Sequence, residues 1–261
     1  MDKQKESKIL LMNKSELSIY TLLMDAPARI KQCSRNSMIC INKAWGLKDI
    51  DPEMAAFRAI TAEEEAATAI IESLKARKYE GVKILNSREH PQKAAIWFIV
   101  SCSIKAFQVL DGKIKARCKI DKSSDGCTKL PRIEFQIVGQ PFKEWFSPEP
   151  PFNFSVSMGD NENLNKQFIE NEIKEYIEAK GKKDFRKYIR DEANLRNQLL
   201  YSSPAGVAKV DSDIVKFIES RRRRAILLLI VCTFVYCYSE RQSFVQYVVD
   251  TLLSNISAKS G

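Results

Sequence analysis

The segment DSDIVKFIESRRRRAILLLIVCTFVYCY, residues 211–238, divides into three parts. An amphipathic start leads into four consecutive arginines, and a nearly all-apolar second half follows them. A helix that is apolar on every side has to be enclosed, either by protein or by lipid. We therefore predict one long helix over residues 211–238, placed at the centre of the fold.

The apolar half of this segment, residues 225–238, is shorter than a membrane span. Its 14 residues compare with the roughly 17–25 apolar residues that a spanning helix needs. Polar and charged residues follow at once, and residues 244–256 are amphipathic. The pattern favours a helix buried in protein and argues against a membrane partner. The positions expected in its core are Leu228, Leu229, Cys232 and Val235, together with Ile70 and Trp97.

The four arginines cover about a full helical turn, so on a central helix they cannot all face solvent. The inner face of the amphipathic start continues, three and four residues on, to Arg221 and Arg222. We predict that these two point inward or flank the core. Arg223 and Arg224 should then point away and form an exposed basic patch.

An inward guanidinium needs a carboxylate, because an unpaired buried charge is strongly disfavoured. The best acidic counterpart is the run Glu63, Glu64 and Glu65, which stands inside an alanine-rich helix. Two interpretations remain open at this point. The arginines form either a structural ion pair at the edge of the core or an anion-binding site.

Composition describes a globular and basic protein. The chain has 261 residues, 44% hydrophobic and 29% charged, which is enough for one large domain or two small ones. Its 42 Lys and Arg exceed its 33 Asp and Glu, and the net charge of +9 suits a polyanionic partner. Seven cysteines without a CxxC pair favour reduced thiols. The first 16 residues lack the apolar core of a secretory signal, so we expect a cytoplasmic location.

Helix signals recur along the chain. Asp51-Pro52 starts a helix that should run to about Lys78, and His90-Pro91 starts another that reaches about Leu110. An Asp-Gly pair at 111–112 also allows a hairpin turn, with 104–110 as a strand. Amphipathic patterns predict further helices at 163–179, 184–201 and 244–256. Before residue 51 we expect a short helix at 15–24, then an irregular basic segment whose Trp45 packs on the main body.

From residue 113 the apolar period changes to two, which is typical of a strand with one buried face. The predicted outward, basic face consists of Lys113, Lys115, Arg117 and Lys119. The face predicted to pack on helices consists of Ile114, Ala116, Cys118 and Ile120. Residues 133–137 and 152–158 alternate in the same way, so three strands in series predict a small antiparallel meander.

These patterns predict an α+β fold that is mostly α-helical. About six to seven helices should surround the central helix at 211–238, beside a three-stranded antiparallel sheet at 113–158. The chain divides into an N-terminal extension (1–50), a two-helix unit (51–112), a β meander (113–160) and a C-terminal helical unit (161–261). We expect them to form one compact domain.

No recognisable motif identifies an enzyme. The single histidine, His90, has no evident nucleophile beside it, and the chain lacks spaced zinc ligands and a glycine-rich phosphate loop. No cofactor or metal site is predicted, except that clustered carboxylates could hold Mg²⁺. The weak catalytic candidates are Glu63, Glu64 and Glu65. Further carboxylates of this kind are Glu72, or Glu172 and Glu175 with Asp191 and Glu192.

Three classes of function follow. The first is a non-catalytic basic module that binds nucleic acid or an acidic protein. The alternatives are a Mg²⁺-dependent nuclease or hydrolase and a structural subunit of a homo- or hetero-oligomeric assembly. The candidate binding residues are Arg221, Arg222, Arg223, Arg224, Lys113, Lys115, Arg117, Lys119, Arg186, Lys187, Arg190 and Arg196.

Overall fold

The computed structural model describes residues 12–108, 114–122, 129–139, 144–154, 164–200 and 213–257. Within them lie eight α-helices and one two-stranded antiparallel sheet, so the fold is mostly helical, as predicted. The helices are α1 Lys14–Thr21, α2 Ala28–Leu47, α3 Pro52–Ala76, α4 His90–Gln108, α5 Leu164–Ala179, α6 Phe185–Leu200, α7 Ile214–Cys237 and α8 Ser243–Ser257. The strands are β1 Ile114–Lys122 and β2 Lys129–Ile137.

Helix α3 begins where the sequence predicts. The Asp51 side chain accepts a hydrogen bond from the Met54 backbone N–H at 2.9 Å, and Pro52 occupies the first turn. After the helix, Gly81 adopts a left-handed φ of 70°. A Cβ atom at Gly81 would lie 2.5 Å from Leu253 Cδ1, so a larger residue here would force the Leu253 side chain of α8 to move.

The helix at the centre of the bundle is α3, which corrects the prediction that residues 211–238 hold this place. Fifteen of the 25 residues of α3 are buried, against 11 of the 24 residues of α7. Helix α3 packs on α2, α4, α6 and α7. Its many alanines explain the difference, because small side chains let neighbouring helices approach closely on several sides.

Helix α7 nevertheless has the core that its sequence predicts. Leu228, Leu229, Cys232 and Val235 are all buried, and they share one cluster with Ile70 and Trp97. A direct link to α3 is the 3.1 Å contact between Cys232 Sγ and Ser73 Oγ. No helix in the described part of the chain is both long enough and apolar enough to cross a bilayer.

The segment before α3 is more regular than predicted. Residues 28–47 form the 20-residue helix α2, where the sequence pattern indicated irregular chain. The buried face of α2 includes serines and cysteines, so its apolar period is weak. Ser37 Oγ donates a hydrogen bond to the Ala62 carbonyl on α3 at 2.7 Å, which satisfies a buried hydroxyl. Trp45 is half-buried and packs against these two helices, as predicted.

The sheet has two strands in the described residues, not the predicted three. β1 and β2 pair antiparallel, with Arg117 opposite Glu134. In the proposed third strand, residues 152–154 form a turn and irregular chain, and residues 155–158 lie outside the described ranges. The backbone N–H of Phe152 donates to Gln242 Oε1 at 2.8 Å. This N–H is therefore bonded to the loop between α7 and α8 and not to a neighbouring strand.

In β1 the predicted exposed face is confirmed, and the predicted buried face is wrong. Lys115, Arg117 and Lys119 are exposed, as expected, but Ala116 and Cys118 are exposed as well, and Ile120 is only partly covered. Lys113 and the side chain of Ile114 lie outside the described parts. The core contacts of the hairpin come mainly from β2, through the buried Phe135, whereas β1 is largely exposed and has only a small contact with α1.

Candidate functional site

Arg221 points into the helical core and meets the acid that the sequence analysis proposed. Its Nη1 donates to Glu63 Oε2 at 2.8 Å and to Glu192 Oε2 at 3.0 Å. Glu63 is on α3 and Glu192 is on α6, so this one guanidinium joins three helices. Helices α6 and α7 both pack on α3, whose many alanines leave room for the long arginine side chain.

Arg224 also points inward, which corrects the prediction that it faces solvent. Its Nη2 lies 2.6 Å from Glu63 Oε1, and its guanidinium covers the Trp97 ring at 4.4 Å. Residues three apart share one side of a helix, so Arg224 follows Arg221 onto the face that continues to Leu228. Arg222, predicted to point inward or flank the core, is half-buried, and its Nη2 lies 3.6 Å from Glu16 Oε2 of α1. Arg223 is exposed, as predicted.

The buried cluster consists of Glu63, Glu192, Arg221 and Arg224, and its charges balance. Burial alone would raise the pKa of Glu63, but the charges of Arg224 and Arg221 outweigh burial, and the pKa is lowered. Burial alone would lower the pKa of Arg221, but Glu63 and Glu192 raise it. Glu63, Arg221 and Arg224 therefore stay ionised, and Glu63 holds no proton that it could donate in a reaction.

A second polar group forms around His90 at the start of α4. His90 Nδ1 lies 2.7 Å from Glu64 Oε1, and Arg196 Nη1 lies 2.8 Å from His90 Nε2. A guanidinium can only donate, so Nε2 accepts and Nδ1–H donates to the carboxylate. Both ring nitrogens of His90 are thus occupied in its neutral form. This arrangement positions α4 against α3 and α6, and it leaves no free imidazole base.

The carboxylates proposed for Mg²⁺ are engaged with other groups, and those that come close together, Glu63 with Glu192 and Glu172 with Glu175, share a cation. Glu65 interacts with Cys33, whose pKa burial and this carboxylate raise to about 12. Glu72 pairs with Lys75, Glu172 accepts from Ser101 at 2.7 Å, and Asp191 pairs with Lys182 at 2.7 Å. Within the described ranges, no group of three or more His, Cys, Asp or Glu residues is placed to hold a metal ion.

The remaining basic candidates are spread over two surfaces. On α6, Arg186 Nε donates to the Asn255 carbonyl at 2.9 Å, while Lys187 and Arg190 are exposed. On the hairpin, Arg117 and Lys119 share Glu134, and Arg117 stacks on Trp145 at 3.9 Å. Most of these cations are therefore engaged with protein groups.

Helices α4, α5 and α7 enclose a cleft of about 450 Å³. On α7, Lys216 and Arg223 line it, seven residues apart on one face of the helix. Lys180 lines it from just beyond the end of α5, and the aromatic rings of Trp97 and Tyr176 form part of its wall. Arg224 and the acidic Glu219 complete its charged lining.

The cations of the cleft differ in how they are neutralised. Arg224 is held by Glu63, and Lys216 Nζ lies 3.2 Å from Asp213. Lys180 and Arg223 are exposed, and neither forms an ion pair with any described carboxylate. Arg223 was among the binding residues predicted from the sequence, whereas Lys180, Lys216 and Tyr176 were not. No local pattern signals them, because the cleft assembles from three segments that are distant in sequence.

Comparison with protein-family models, with curated proteins and with solved structures found no match. The function of this chain has therefore to be inferred from its own residues. The cleft between α4, α5 and α7 combines uncompensated positive charge, aromatic rings and concave shape, which are features of ligand sites.

Proposed function

We propose that this protein is a non-catalytic module that binds nucleic acid or another polyanion in the cleft between α4, α5 and α7. The observation that carries this proposal is the presence of two exposed cations that pair with no described carboxylate, Lys180 and Arg223, on opposite sides of one concave site. Guanidinium and ammonium groups are the usual partners of phosphate in proteins. A net charge of +9 would also attract a polyanion from a distance.

The buried arginines are structural in this proposal. Arg221 and Arg224 face two carboxylates, so their cluster has no excess charge to offer an anion. A ligand at this cluster would have to displace Glu63, which is itself enclosed between α3 and α7. The contribution of the arginine run to binding therefore falls to Arg223, the member that is exposed.

The cysteines support a reducing, cytoplasmic setting as part of the same proposal. Six thiols are free among the described residues, and most of them are buried. Burial raises the pKa of Cys232 to about 12, so this thiol stays protonated and behaves as a small apolar group. The buried cysteines act in packing, which agrees with a non-catalytic function.

The test is the salt dependence of oligonucleotide binding, measured by fluorescence anisotropy with labelled mixed-sequence probes. The logarithm of the association constant should fall linearly with the logarithm of salt concentration. Arg223→Ala and Lys180→Ala should each flatten that slope by about one. The matched controls are Arg88→Ala and Lys43→Ala, which remove exposed cations that do not line the cleft.

Two results would overturn the proposal. One is the absence of binding at low salt, where electrostatic attraction is strongest. The other is a slope that neither cleft substitution changes, because the polyanion would then lie on another surface.

A further inference from the structure

The aromatic rings of the cleft are held in place before any ligand binds. Tyr176 makes near-perpendicular contacts with Phe98 at 5.3 Å and with Tyr188 at 6.0 Å between ring centroids. Trp97 is covered by the Arg224 guanidinium at 4.4 Å. Tyr176 remains half-buried at the cleft wall, and Lys180 Nζ lies 5.9 Å from its ring. A basic groove that holds an aromatic ring is the combination found in proteins that bind single-stranded nucleic acid, where a base stacks on the ring.

The size of the cleft limits what can enter it. A volume of about 450 Å³ falls within the range of roughly 300–1,000 Å³ that small-ligand pockets occupy. The bases of a duplex are stacked and paired inside the helix, so their faces cannot reach Tyr176. The bases of a single strand can unstack and lie against a side-chain ring.

The cations are arranged to contact the backbone of such a strand. Lys216 and Arg223 are seven residues apart on α7, which corresponds to about 10 Å along the helix axis. This distance exceeds the spacing between successive nucleotides, about 3.4 Å per residue along one strand of a duplex. Lys180 faces them from the α5 side. A strand passing through the cleft can therefore place more than one phosphate on these cations.

We infer that the cleft binds an internal nucleotide of a single-stranded nucleic acid. Its base stacks on Tyr176, and its flanking phosphates contact Arg223, Lys180 and Lys216. This inference rests on the proposed function, because it specifies the ligand of the same cleft. The recognition is by shape and charge, so it is tolerant of base sequence.

The first experiment compares three probes on the wild-type protein at one salt concentration. They are a labelled 12-nucleotide single strand, the same sequence as a blunt duplex, and AMP as an unlabelled competitor. The single strand should bind at least about tenfold more tightly than the duplex, because only its bases can stack in the cleft. AMP should compete weakly, because it lacks flanking phosphates.

The second experiment tests the ring directly. Tyr176→Leu should weaken single-strand binding by about fivefold or more, the effect of losing one stacked base, and leave the salt slope unchanged. Tyr176→Phe keeps the ring and should bind as the wild type does. Tyr247→Leu, an exposed tyrosine on α8, is the matched control and should have no effect. Melting temperatures show whether each variant is folded, and the probe comparison on wild type does not depend on them.

The outcomes separate this inference from the proposed function. Equal affinity for duplex and single strand, with a slope that Arg223→Ala flattens, overturns the inference and keeps the polyanion module. A folded Tyr176→Leu variant with unchanged single-strand affinity does the same. AMP that competes as strongly as the oligonucleotide assigns the cleft to a free nucleotide and overturns the inference. No binding of any probe overturns both.

Discussion

The contact between α3 and α7 and the β1–β2 hairpin both contain arginine–glutamate pairs, but they differ in access to water. In the helical core, the side chains of Arg221 and Glu63 are 11% and 10% exposed. On the hairpin, Arg117 and Lys119 are 42% and 43% exposed around Glu134. A buried pair cannot lose one member without leaving a charge in a poorly solvated place, whereas water replaces a lost partner at the surface. The same residue types are therefore structural in one region and nearly neutral for stability in the other.

The largest expected effect comes from Arg221→Ala. This substitution leaves Glu63 and Glu192 with less positive charge in the core, and it should lower the free energy of unfolding by about 3–5 kcal/mol. Chemical denaturation followed by circular dichroism measures this quantity. Arg223→Ala is the matched control, because it removes an exposed arginine two positions away and should change stability by less than about 0.5 kcal/mol. Equal stability of the two variants would remove the distinction between the core pair and a surface charge.

Shortening an apolar side chain tests whether the helical core and the hairpin also differ in stability when no charge is removed. Leu229→Ala opens a cavity in the main core and should cost about 2–5 kcal/mol. Cys118→Ala on β1 removes a side chain that is already exposed and should stay within about 0.5 kcal/mol of wild type. Thermal and denaturant unfolding measure both values. A large loss in the Cys118 variant would mean that β1 is covered after all.

The pH dependence of stability should differ between wild type and Glu63→Gln. The pKa of Glu63 is lower in the native state than its usual value of 4.5, because two arginines outweigh burial. Its carboxylate therefore adds stability above about pH 4.5, and that contribution is lost as the pH falls through the lower native pKa. Wild type should lose stability more steeply on acidification than the variant. Parallel curves of stability against pH for wild type and Glu63→Gln would show that Glu63 has the same pKa in the native and unfolded states.

The smallest effect is expected on the hairpin. The hydrogen bond from Arg117 lowers the pKa of Glu134, but the cations around this carboxylate are open to solvent, so salt screens the pair. Glu134→Gln should leave the melting temperature unchanged within error at physiological salt. A small difference should appear only at low ionic strength, whereas the effect of Glu63→Gln should persist in high salt. A large drop in the melting temperature of Glu134→Gln that does not depend on salt would show that the hairpin pair stabilises the fold as the core pair does.

Prediction from sequence succeeded where a single segment holds the signal. The Asp51-Pro52 start of α3 and the apolar second half of α7 both follow from local chemistry. Prediction was wrong for α2, where buried serines and cysteines conceal the amphipathic period. It was also wrong for Arg224, because the inner face of α7 was extended from residue 218 without knowing which side α3 covers.

Capping residues, the apolar period and local charge act over a few positions. The sequence by itself therefore determines where most helices and strands form. Tertiary packing alone determines which of two buried helices lies at the centre, since that depends on the space that the alanines of α3 leave for their neighbours. It also brings Glu63 to Arg221 across 158 positions of chain. The candidate cleft has the same origin. Tyr176 and Lys180 lie at the end of α5 and Arg223 lies on α7, and they define a site only because the packing of α4, α5 and α7 places them around one concave surface.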